Sequence, residues 1–461
     1  MSNIATAAVR ALDAQETEAQ EPSVSKKNNT PCMVELAYTD SLTGLANRRR
    51  LEDTIERLIA DRADDPAPFT IGILDLDGFK PINDLFGHAA GDMILQQIAQ
   101  RLKSCLPKGG LAARLGGDEF AFVLPYTFTE AGAFSVGDAI RDVLAAPYDL
   151  GERFVRLSGS FGFAIHPFGG DTFSEIMGSA DTALYRSKKR GRSEITIYST
   201  AVADEMKRAT QIEQALRQAI TSGDVKPHFQ PIVKIDSGEV IGFEALARWT
   251  DSELGFIPPD VFIPLAEERG FVGLLSESLL KQAATAALQW PKELFLSFNL
   301  SSMQLMDPTT GDRVLKIIEA VGLEPTRLEL EITETAIMGD PEMAFEIVEQ
   351  LRATGIRISL DDFGTGQSSL GRLRDFNFDK VKIDRSFIAS INDDKPSEHI
   401  IRAIIAMCEG LELKVIAEGI EDDCQEKMLL QLGCVSGQGY LYAKAMDVPA
   451  THRFLQKMND E

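Results

Sequence analysis

The segment RLELEITETAIMGDPEMAFEIVEQLRATGIRISLDDFGTG (327–366) contains two short apolar runs, RLELEIT and IRISLDD, with a stretch of helical pattern between them. The same alternation recurs through the C-terminal half, whose other apolar runs are HFQPIVKI, EVIGFEALA, LFLSFNL, KVKID, KVIAEGI and YLYAK. Eight strands that alternate with helices are typical of a (β/α)8 barrel, which takes roughly 250 residues. We therefore predict such a barrel, with an open doubly wound sheet as the alternative interpretation.

The residues before the barrel show a different pattern, in which helical stretches alternate with strand-like runs joined by short turns. The runs are FTIGILDL (69–76), LAARL (111–115), FAFVL (120–124), FVRLSGSFGFAI (154–165) and EITIY (194–198). Such a mixture is typical of an α+β domain, so the chain as a whole is expected to be of the α/β class. We predict a polar, mobile tail at residues 1–36, this first domain at 37–199, a helical linker at 200–224 and the barrel at 225–461.

Charge and cysteine content limit the functions that the chain can have. The 461 residues include 47 Lys and Arg against 70 Asp and Glu, which gives a formal charge of −23. Nucleic-acid binders need clustered basic residues, so we expect no nucleic-acid partner. The 5 cysteines form no CxxC pair, which argues against a disulfide framework and a structural zinc site. No apolar run approaches ~18 residues and no signal pattern is present, so we expect a cytoplasmic protein without membrane insertion.

Three acidic residues of the first domain are expected to converge on one edge of its sheet. Asp75 lies near the end of the run FTIGILDL, while Asp118 and Glu119 belong to a Gly-Gly-Asp-Glu turn between two strand-like runs. A Gly-Gly turn admits positive φ and lets the backbone approach a ligand closely. Clustered carboxylates beside phosphate bind divalent metal, and Mg²⁺ suits oxygen ligands. The alternative is that these are acidic turn residues in solvent.

Four motifs occur here in the order found in the GGDEF family of diguanylate cyclases, which residues 38–199 resemble. They are DSLTGLANR (40–48), LDLDGFKPINDLFGHAAGD (74–92), RLGGDEF (114–120) and ADTALYRSKKRGR (180–192). The resemblance implies a palm-like, nucleotidyl-cyclase-like fold that condenses two GTP into cyclic di-GMP, in a homodimer of two GTP-loaded domains. It further implies metal binding by Asp75 and Asp118, completion of the catalytic acidic signature by Glu119, guanine recognition by Asn83 and Asp92, and triphosphate binding by Lys80, Lys188 and Arg192.

One departure from the family pattern concerns feedback inhibition. Many members carry an RxxD product-inhibition site just before the signature. The corresponding stretch here, residues 107–110, reads PKGG and has neither Arg nor Asp. We therefore expect that form of inhibition to be missing.

Oxygen-bearing side chains and one lysine follow the apolar runs of the predicted barrel. They are Glu244, Asn299, Glu331, Glu334, Asp361, Asp362, Lys382, Asp384, Glu418 and Glu421. The C-terminal ends of barrel strands converge at one mouth, where active sites lie, so we expect these groups to share a centre. Helix capping by strand-end acids is the alternative, and it accounts for one or two of them but not for six strands and a lysine. Because the set contains no His or Cys, Mg²⁺ or Mn²⁺ is favoured over zinc.

These segments resemble the EAL family of cyclic di-GMP phosphodiesterases over residues 225–446, on the motifs EVIGFEALARW, LFLSFNLS, RLELEITE, IRISLDDFGTG, KVKID and KVIAEGIE. The resemblance implies metal-dependent hydrolysis of cyclic di-GMP to linear pGpG. The implied metal ligands are Glu244, Asn299, Glu331, Asp361, Asp362 and Glu418, with Glu244, Lys382 and Glu418 in the catalytic network. Arg248, Asp384 and Gln438 would line the substrate pocket, and Glu334 would anchor a loop formed by DDFGTGQSSL (361–370).

Three functions are compatible with these two motif sets. The first is a bifunctional enzyme that hydrolyses cyclic di-GMP in the barrel and makes it from GTP in the first domain. The second is a phosphodiesterase whose first domain only binds GTP as an allosteric regulator. The third is a non-catalytic cyclic di-GMP receptor, which the complete set of implied metal ligands disfavours.

Overall fold

The computed structural model describes residues 37–60, 68–151, 153–364, 376–391 and 395–460. The predicted N-terminal tail and residues 365–370 of the DDFGTGQSSL loop lie outside these ranges. The chain forms two compact units, Met1–Met206 and Lys207–Glu461. Within the described ranges, no helix has both the length and the apolar character needed to cross a bilayer.

The N-terminal unit is built on a five-stranded sheet and a separate short hairpin. Its strands are β1 (Phe69–Asp77), β2 (Leu111–Gly116), β3 (Glu119–Leu124), β4 (Tyr148–Asp149), β5 (Phe154–Val155), β6 (Ser158–His166) and β7 (Ile195–Ile197). Its helices are α1 (Arg48–Ala60), α2 (Phe79–Phe86), α3 (His88–Cys105), α4 (Glu130–Ala145) and α5 (Phe173–Lys189). The sheet order is β2-β3-β1-β6-β7, and central β1 is antiparallel to both neighbours. The apolar run at 154–165 divides in two, because β5 pairs with β4 whereas β6 pairs with β1.

Both faces of this sheet are covered by helices. Along β3, the alternation of side chains sends Phe120 and Phe122 to one face and Ala121 and Val123 to the other. The phenylalanines join the apolar core formed with α3 and α4, and the smaller residues pack on α1 and α5. A strand buried on both faces is apolar throughout, which explains why FAFVL shows no polar alternation.

The C-terminal unit is a closed barrel of eight strands surrounded by helices. The barrel strands are β8 (Lys226–Lys234), β9 (Val240–Asp251), β11 (Phe295–Leu300), β12 (Leu328–Thr333), β13 (Arg357–Phe363), β14 (Lys380–Ile383), β15 (Lys414–Glu418) and β16 (Ser436–Gln438), and β10 (Gly255–Ile257) pairs with the end of β9. The helices within the described ranges are α6 (Thr200–Ser222), which precedes the barrel, α7 (Pro259–Glu268), α8 (Val272–Ala287), α9 (Ser302–Leu305), α10 (Thr310–Val321), α11 (Glu334–Gly339), α12 (Pro341–Arg352), α13 (Arg385–Ala389), α14 (Lys395–Gly410), α15 (Asp423–Leu432) and α16 (Val448–Asp460).

The barrel prediction is confirmed, with one strand reversed. Strand β8 is antiparallel to both neighbours, β16 and β9, and closes the barrel between them. The short turn between β8 and β9 explains the reversal, since two parallel neighbours need a long crossover connection.

The prediction of a last strand at YLYAK (440–444) is wrong. The eighth barrel strand is the preceding segment Ser436–Gln438. A three-residue strand with a central glycine has no apolar pattern to reveal it. Gly437 gives room for two isoleucines, since an added Cβ would lie 2.5 Å from Ile420 Cδ1 and 3.1 Å from Ile235 Cδ1.

Candidate active sites

Strand register brings the predicted barrel residues together at the C-terminal strand ends. Asn299 on β11 is paired with Glu331 on β12, and Glu418 on β15 is paired with Gln438 on β16. Parallel strands in register place successive strand ends at one level of the barrel. The side chains at this mouth therefore come from several different strands.

The ammonium group of Lys382 is the centre of this cluster. Its side chain is 1% exposed. Four carboxylate oxygens lie within 4 Å of Lys382 Nζ, at 2.5 Å for Glu418, 2.7 Å for Glu331, 3.5 Å for Asp361 and 3.6 Å for Glu244. Burial alone lowers the pKa of Lys382, but the surrounding carboxylates raise it well above its ordinary value, so it is a permanent cation.

Glu244 is held by two amide side chains. Asn299 Nδ2 donates to Glu244 Oε1 at 2.8 Å, and Gln438 Nε2 donates to Glu244 Oε2 at 2.7 Å. Burial raises the pKa of Glu244, but Lys382 and these hydrogen bonds lower it below its ordinary value. Burial and the Glu244 charge raise the pKa of Glu331 well above its ordinary value. The two carboxyl groups therefore titrate as an interacting pair.

Two more predicted ligands, Glu418 and Asp362, have a shifted pKa and an unusual backbone conformation, respectively. Burial raises the pKa of Glu418 to about 8, although Lys382 opposes the shift. Asp362 has a φ of 54° and lies at a register irregularity of β13 between Leu360 and Phe363. Left-handed backbone in a non-glycine residue is costly and is concentrated at functional sites. The irregularity turns Asp361 and Asp362 toward the same cavity.

A cavity of about 880 Å³ opens at this mouth. Arg248, Asn299, Asp361 and Asp362 line it. Tyr440 also lines it and is 59% exposed. Sequence reasoning assigned Tyr440 to a strand and gave it no role in the site, although its position two residues after Gln438 was an available signal.

Two further predicted residues, Asp384 and Glu334, lie at the starts of helices that follow barrel strands. Asp384 caps α13, because its carboxylate accepts hydrogen bonds from Ser386 N at 3.0 Å and from the Ser386 hydroxyl. This is the helix-capping role weighed above, and a role in the substrate pocket stays a prediction. Glu334 begins α11, and its buried Oε2 has no hydrogen-bond partner among the described residues. The loop it is predicted to anchor continues outside those residues.

The barrel donor set fits a hard divalent cation. Within the described ranges, no three His, Cys, Asp or Glu side chains are close enough together to enclose a metal ion as they stand. The Lys382 ammonium is itself a cation around which four carboxylates are gathered. The predicted metal ligands are carboxylates and one amide, and their oxygens are the ligand atoms that Mg²⁺ and Mn²⁺ prefer.

The acidic residues of the N-terminal unit converge at the end of β1. Asp75 and Glu119 are directly paired across β1 and β3. Lys188 Nζ lies 2.7 Å from Asp75 Oδ2. Burial raises the pKa of Asp75, with Lys188 opposing it, and burial and the Asp75 charge raise the pKa of Glu119. Asp118 contributes to both shifts, so the three predicted carboxylates share one electrostatic environment.

The turn that carries Asp118 depends on its two glycines and on an arginine. Gly116 and Gly117 have φ values of 149° and 51°, a region that other residues rarely adopt. Arg114 Nη2 donates to the Gly117 carbonyl at 2.7 Å, and Arg114 also pairs with Asp40 at 3.3 Å. The motifs DSLTGLANR and RLGGDEF are thus joined through this pair, which sequence reasoning missed.

The predicted guanine-reading residues lie on neighbouring helices. Asn83 belongs to α2 and Asp92 to α3, next to Gly91. A Cβ on Gly91 would lie 2.0 Å from Asn83 Oδ1, so the glycine allows the close approach. Lys80 is exposed on α2.

Arg192 is placed by a hydrogen-bonded turn after α5. Arg192 and Ser193 have φ values of 63° and 56°. Asp77 Oδ2 accepts from Ser193 N at 3.0 Å and from Ser158 Oγ at 3.0 Å, and Asp77 Oδ1 accepts from Ser160 Oγ at 2.9 Å. Asp77 therefore positions the turn that bears Arg192, a role that its place two residues after Asp75 could have suggested.

Comparison with known proteins matches both halves of the chain to domain families. The EAL domain model matches residues 213–445, and the diguanylate cyclase, GGDEF domain model matches residues 37–194. The chain is 36% identical over 418 residues to the bifunctional diguanylate cyclase/cyclic di-GMP phosphodiesterase MucR of Pseudomonas aeruginosa. This match covers 90% of the chain and 61% of MucR. It is 34% identical over 427 residues to the cyclic di-GMP phosphodiesterase PdeR of Escherichia coli, covering 92% of the chain and 64% of PdeR.

Solved structures extend the comparison to the fold. The structure described as the PaMucR phosphodiesterase in a c-di-GMP complex is 38% identical, with a TM-score of 0.51, and covers 52% of this chain and 99% of that chain. The matched domains define a tandem protein in which a GGDEF domain is followed by an EAL domain. The chain belongs to the EAL domain family and carries a GGDEF domain before its EAL domain. It spans about half to two thirds of the length of the curated relatives that it matches.

Proposed function

We propose that this protein hydrolyses cyclic di-GMP to linear pGpG in its barrel. The observation that carries the proposal is the Lys382 ammonium, held among four strand-end carboxylates beside a cavity of about 880 Å³. The names of MucR and PdeR, which describe cyclic di-GMP phosphodiesterases, support the same substrate.

In the proposed reaction, water adds to a phosphorus atom of cyclic di-GMP and the P–O3′ bond breaks. The water loses one proton, and the departing 3′ oxygen takes one. A bound Mg²⁺ or Mn²⁺ would polarise a phosphate oxygen and ease deprotonation of the attacking water. Glu244, Asn299, Glu331, Asp361, Asp362 and Glu418 would hold it.

The remaining groups act on the substrate and on the carboxylates. Arg248 lines the cavity and would donate to a phosphate oxygen, as a guanidinium does best. Lys382 keeps the carboxylates together and adds a positive field next to the reacting phosphate. Asn299 and Gln438 keep the Glu244 oxygens in fixed directions.

The proposal includes synthesis of cyclic di-GMP from two GTP by the N-terminal unit. The shared environment of Asp75, Asp118 and Glu119 supports it, as does the strained turn that positions Arg192. Each cyclic product needs two GTP-loaded domains face to face, so the active form is proposed to be a homodimer. A cytoplasmic location is part of the proposal, because GTP is made there.

The test is to incubate the purified full chain with Mn²⁺ and either GTP or cyclic di-GMP and to separate the nucleotides by chromatography. Glu244→Ala is run beside the wild type, so that hydrolysis does not hide synthesis, and Asp118→Ala controls for synthesis. Conversion of cyclic di-GMP to pGpG by the wild type but not by Glu244→Ala supports the barrel assignment. Hydrolysis of cyclic di-GMP by Glu244→Ala at the wild-type rate would refute it.

The same experiment separates the other functions. Accumulation of cyclic di-GMP from GTP in Glu244→Ala, abolished by Asp118→Ala, supports synthesis. Hydrolysis that rises with GTP, without any cyclic product, makes the first domain a regulator. Tight binding of cyclic di-GMP without either reaction makes the chain a receptor.

A further inference from the structure

Gln230, on the reversed strand β8, is hydrogen-bonded to Gln438 and has no part in the mechanism above. It is directly paired with Glu244 of β9 in the strand register. Gln230 is 7% exposed and Glu244 is 6% exposed. A buried amide is stable only when its N–H groups and oxygen find partners, so those partners determine which way it faces.

Three hydrogen bonds connect Glu244 to a backbone carbonyl through two glutamines. Gln230 Nε2 donates to Ala443 O at 3.1 Å. Gln438 Nε2 donates to Gln230 Oε1 at 3.1 Å and to Glu244 Oε2 at 2.7 Å. We call these two side chains, Gln230 and Gln438, the glutamine relay.

The Ala443 carbonyl sets the direction of the glutamine relay. A carbonyl oxygen can only accept, so the Gln230 amide must turn an N–H toward it. The Gln230 oxygen then faces Gln438, and both N–H bonds of Gln438 are used, one for Gln230 and one for Glu244. Gln438 Oε1 is buried and has no hydrogen-bond partner among the described residues.

The carbonyl itself is held on the strand that carries Gln230. Phe229 N donates to Met446 O at 2.7 Å, and Met446 N donates to Phe229 O at 2.9 Å. This isolated bridge fixes the segment containing Ala443 against the neighbour of Gln230, and Phe229 is fully buried. Backbone hydrogen bonds therefore connect the segment that contains Ala443 to the strand that carries Gln230.

We propose that Gln230 is a positioning residue which, through Gln438, holds the Glu244 carboxylate in the orientation that binds a divalent cation. The proposal rests on the phosphodiesterase function proposed above. Without Gln230 the Gln438 amide loses the acceptor of one of its N–H groups, so its side chain is less firmly held beside Glu244 Oε2. Loss of an outer hydrogen-bond partner of a metal ligand typically costs about 10–100-fold in metal affinity.

The test uses the full chain in an Asp75→Ala, Asp118→Ala background, which removes the proposed metal ligands of the N-terminal unit. Mn²⁺ alone is titrated by calorimetry, so the reading does not depend on activity. Gln230→Met removes both polar atoms while keeping the side-chain length. Its Mn²⁺ affinity is expected to fall about tenfold.

Gln282→Met is the matched control. Gln282 Nε2 also donates to a backbone carbonyl, that of Val225 at 3.0 Å, just before β8. It thus donates to a backbone carbonyl as Gln230 does, but among the described residues it makes no hydrogen bond to the carboxylates or to Gln438. Its Mn²⁺ affinity is expected to equal that of the background protein. If Gln230→Met does not fold, Gln230→Asn keeps an amide that is one methylene too short for the relay and replaces it in the comparison.

A double variant tests whether Gln230 acts through Gln438. Adding Gln230→Met to Gln438→Met should weaken Mn²⁺ binding by less than about twofold, because the relay is already broken. A second tenfold loss of Mn²⁺ affinity in the double variant would overturn the proposal. So would a Gln230→Met protein that binds Mn²⁺ as tightly as the background protein. The two proposals can fail separately. If Mn²⁺ binding follows these expectations but the wild-type chain leaves cyclic di-GMP intact, the proposed hydrolysis is contradicted and the role of Gln230 is not.

Discussion

Replacing Lys380 with methionine is expected to destabilise the barrel while leaving its carboxylate cluster in place. Lys380 and Lys382 are two residues apart on β14, but Lys380 lies at the start of the strand, away from the mouth. Its Nζ is 2.5 Å from Glu329 Oε2, and the two side chains are 5% and 0% exposed. It also lies 3.8 Å from the centre of the Phe295 ring.

The expected loss follows from leaving Glu329 buried without its nearest cation. Two charges 2.5 Å apart attract each other by ~6–7 kcal/mol at an effective dielectric constant near 20, and the cost of burying Lys380 offsets part of this. Removing one partner of a buried pair generally costs ~3–5 kcal/mol. Because Arg357 Nε remains 3.7 Å from Glu329 Oε2, we expect a loss of about 3 kcal/mol in the free energy of unfolding.

Urea unfolding followed by tryptophan fluorescence measures this loss in the barrel alone. The 2 tryptophans, Trp249 and Trp290, are both buried in the C-terminal unit. Lys414→Met, at the exposed start of β15, is the control and should change the free energy of unfolding by less than ~0.5 kcal/mol. Lys380→Met combined with Glu329→Leu should recover most of the loss, since no buried charge then lacks a partner. A Lys380→Met protein within ~1 kcal/mol of wild type would refute the reasoning.

Two further predictions concern the N-terminal unit. Gly91→Ala should displace Asn83, because the added Cβ would lie 2.0 Å from Asn83 Oδ1. Losing one hydrogen bond to the guanine should raise the Kd for GTP about tenfold. Gly178→Ala, which has open space around it, is the control, and titration calorimetry with GTP gives the comparison. Asp40→Asn should reduce the acid sensitivity of this unit. The pKa of Asp40 is lowered in the fold, so the stability it contributes is present at neutral pH and is lost as the pH falls through that lowered value. Thermal melting from neutral to strongly acidic pH tests this, and identical acid profiles for variant and wild type would contradict it.

The sequence by itself determined the class of fold and most of the candidate barrel site. Glu244, Asn299 and Glu331 each follow an apolar run, and a barrel brings all such strand ends to one mouth whatever the length of the helices between them. Local order along the chain was therefore enough to collect these groups. For the same reason the sequence could list Asp384 with them, although in the structure it caps the following helix.

Only the tertiary structure decided which residues with the same pattern lie at the mouth. Lys380 and Lys382 are two residues apart and therefore lie on the same side of β14. Lys380 nevertheless pairs with Glu329 at the start of the strand, whereas Lys382 pairs with the acidic cluster. Gln230 lies in the middle of HFQPIVKI, and it meets Glu244 because β8 runs opposite to the other strands. Strand direction and closure depend on contacts between distant parts of the chain, which no local pattern of side chains records.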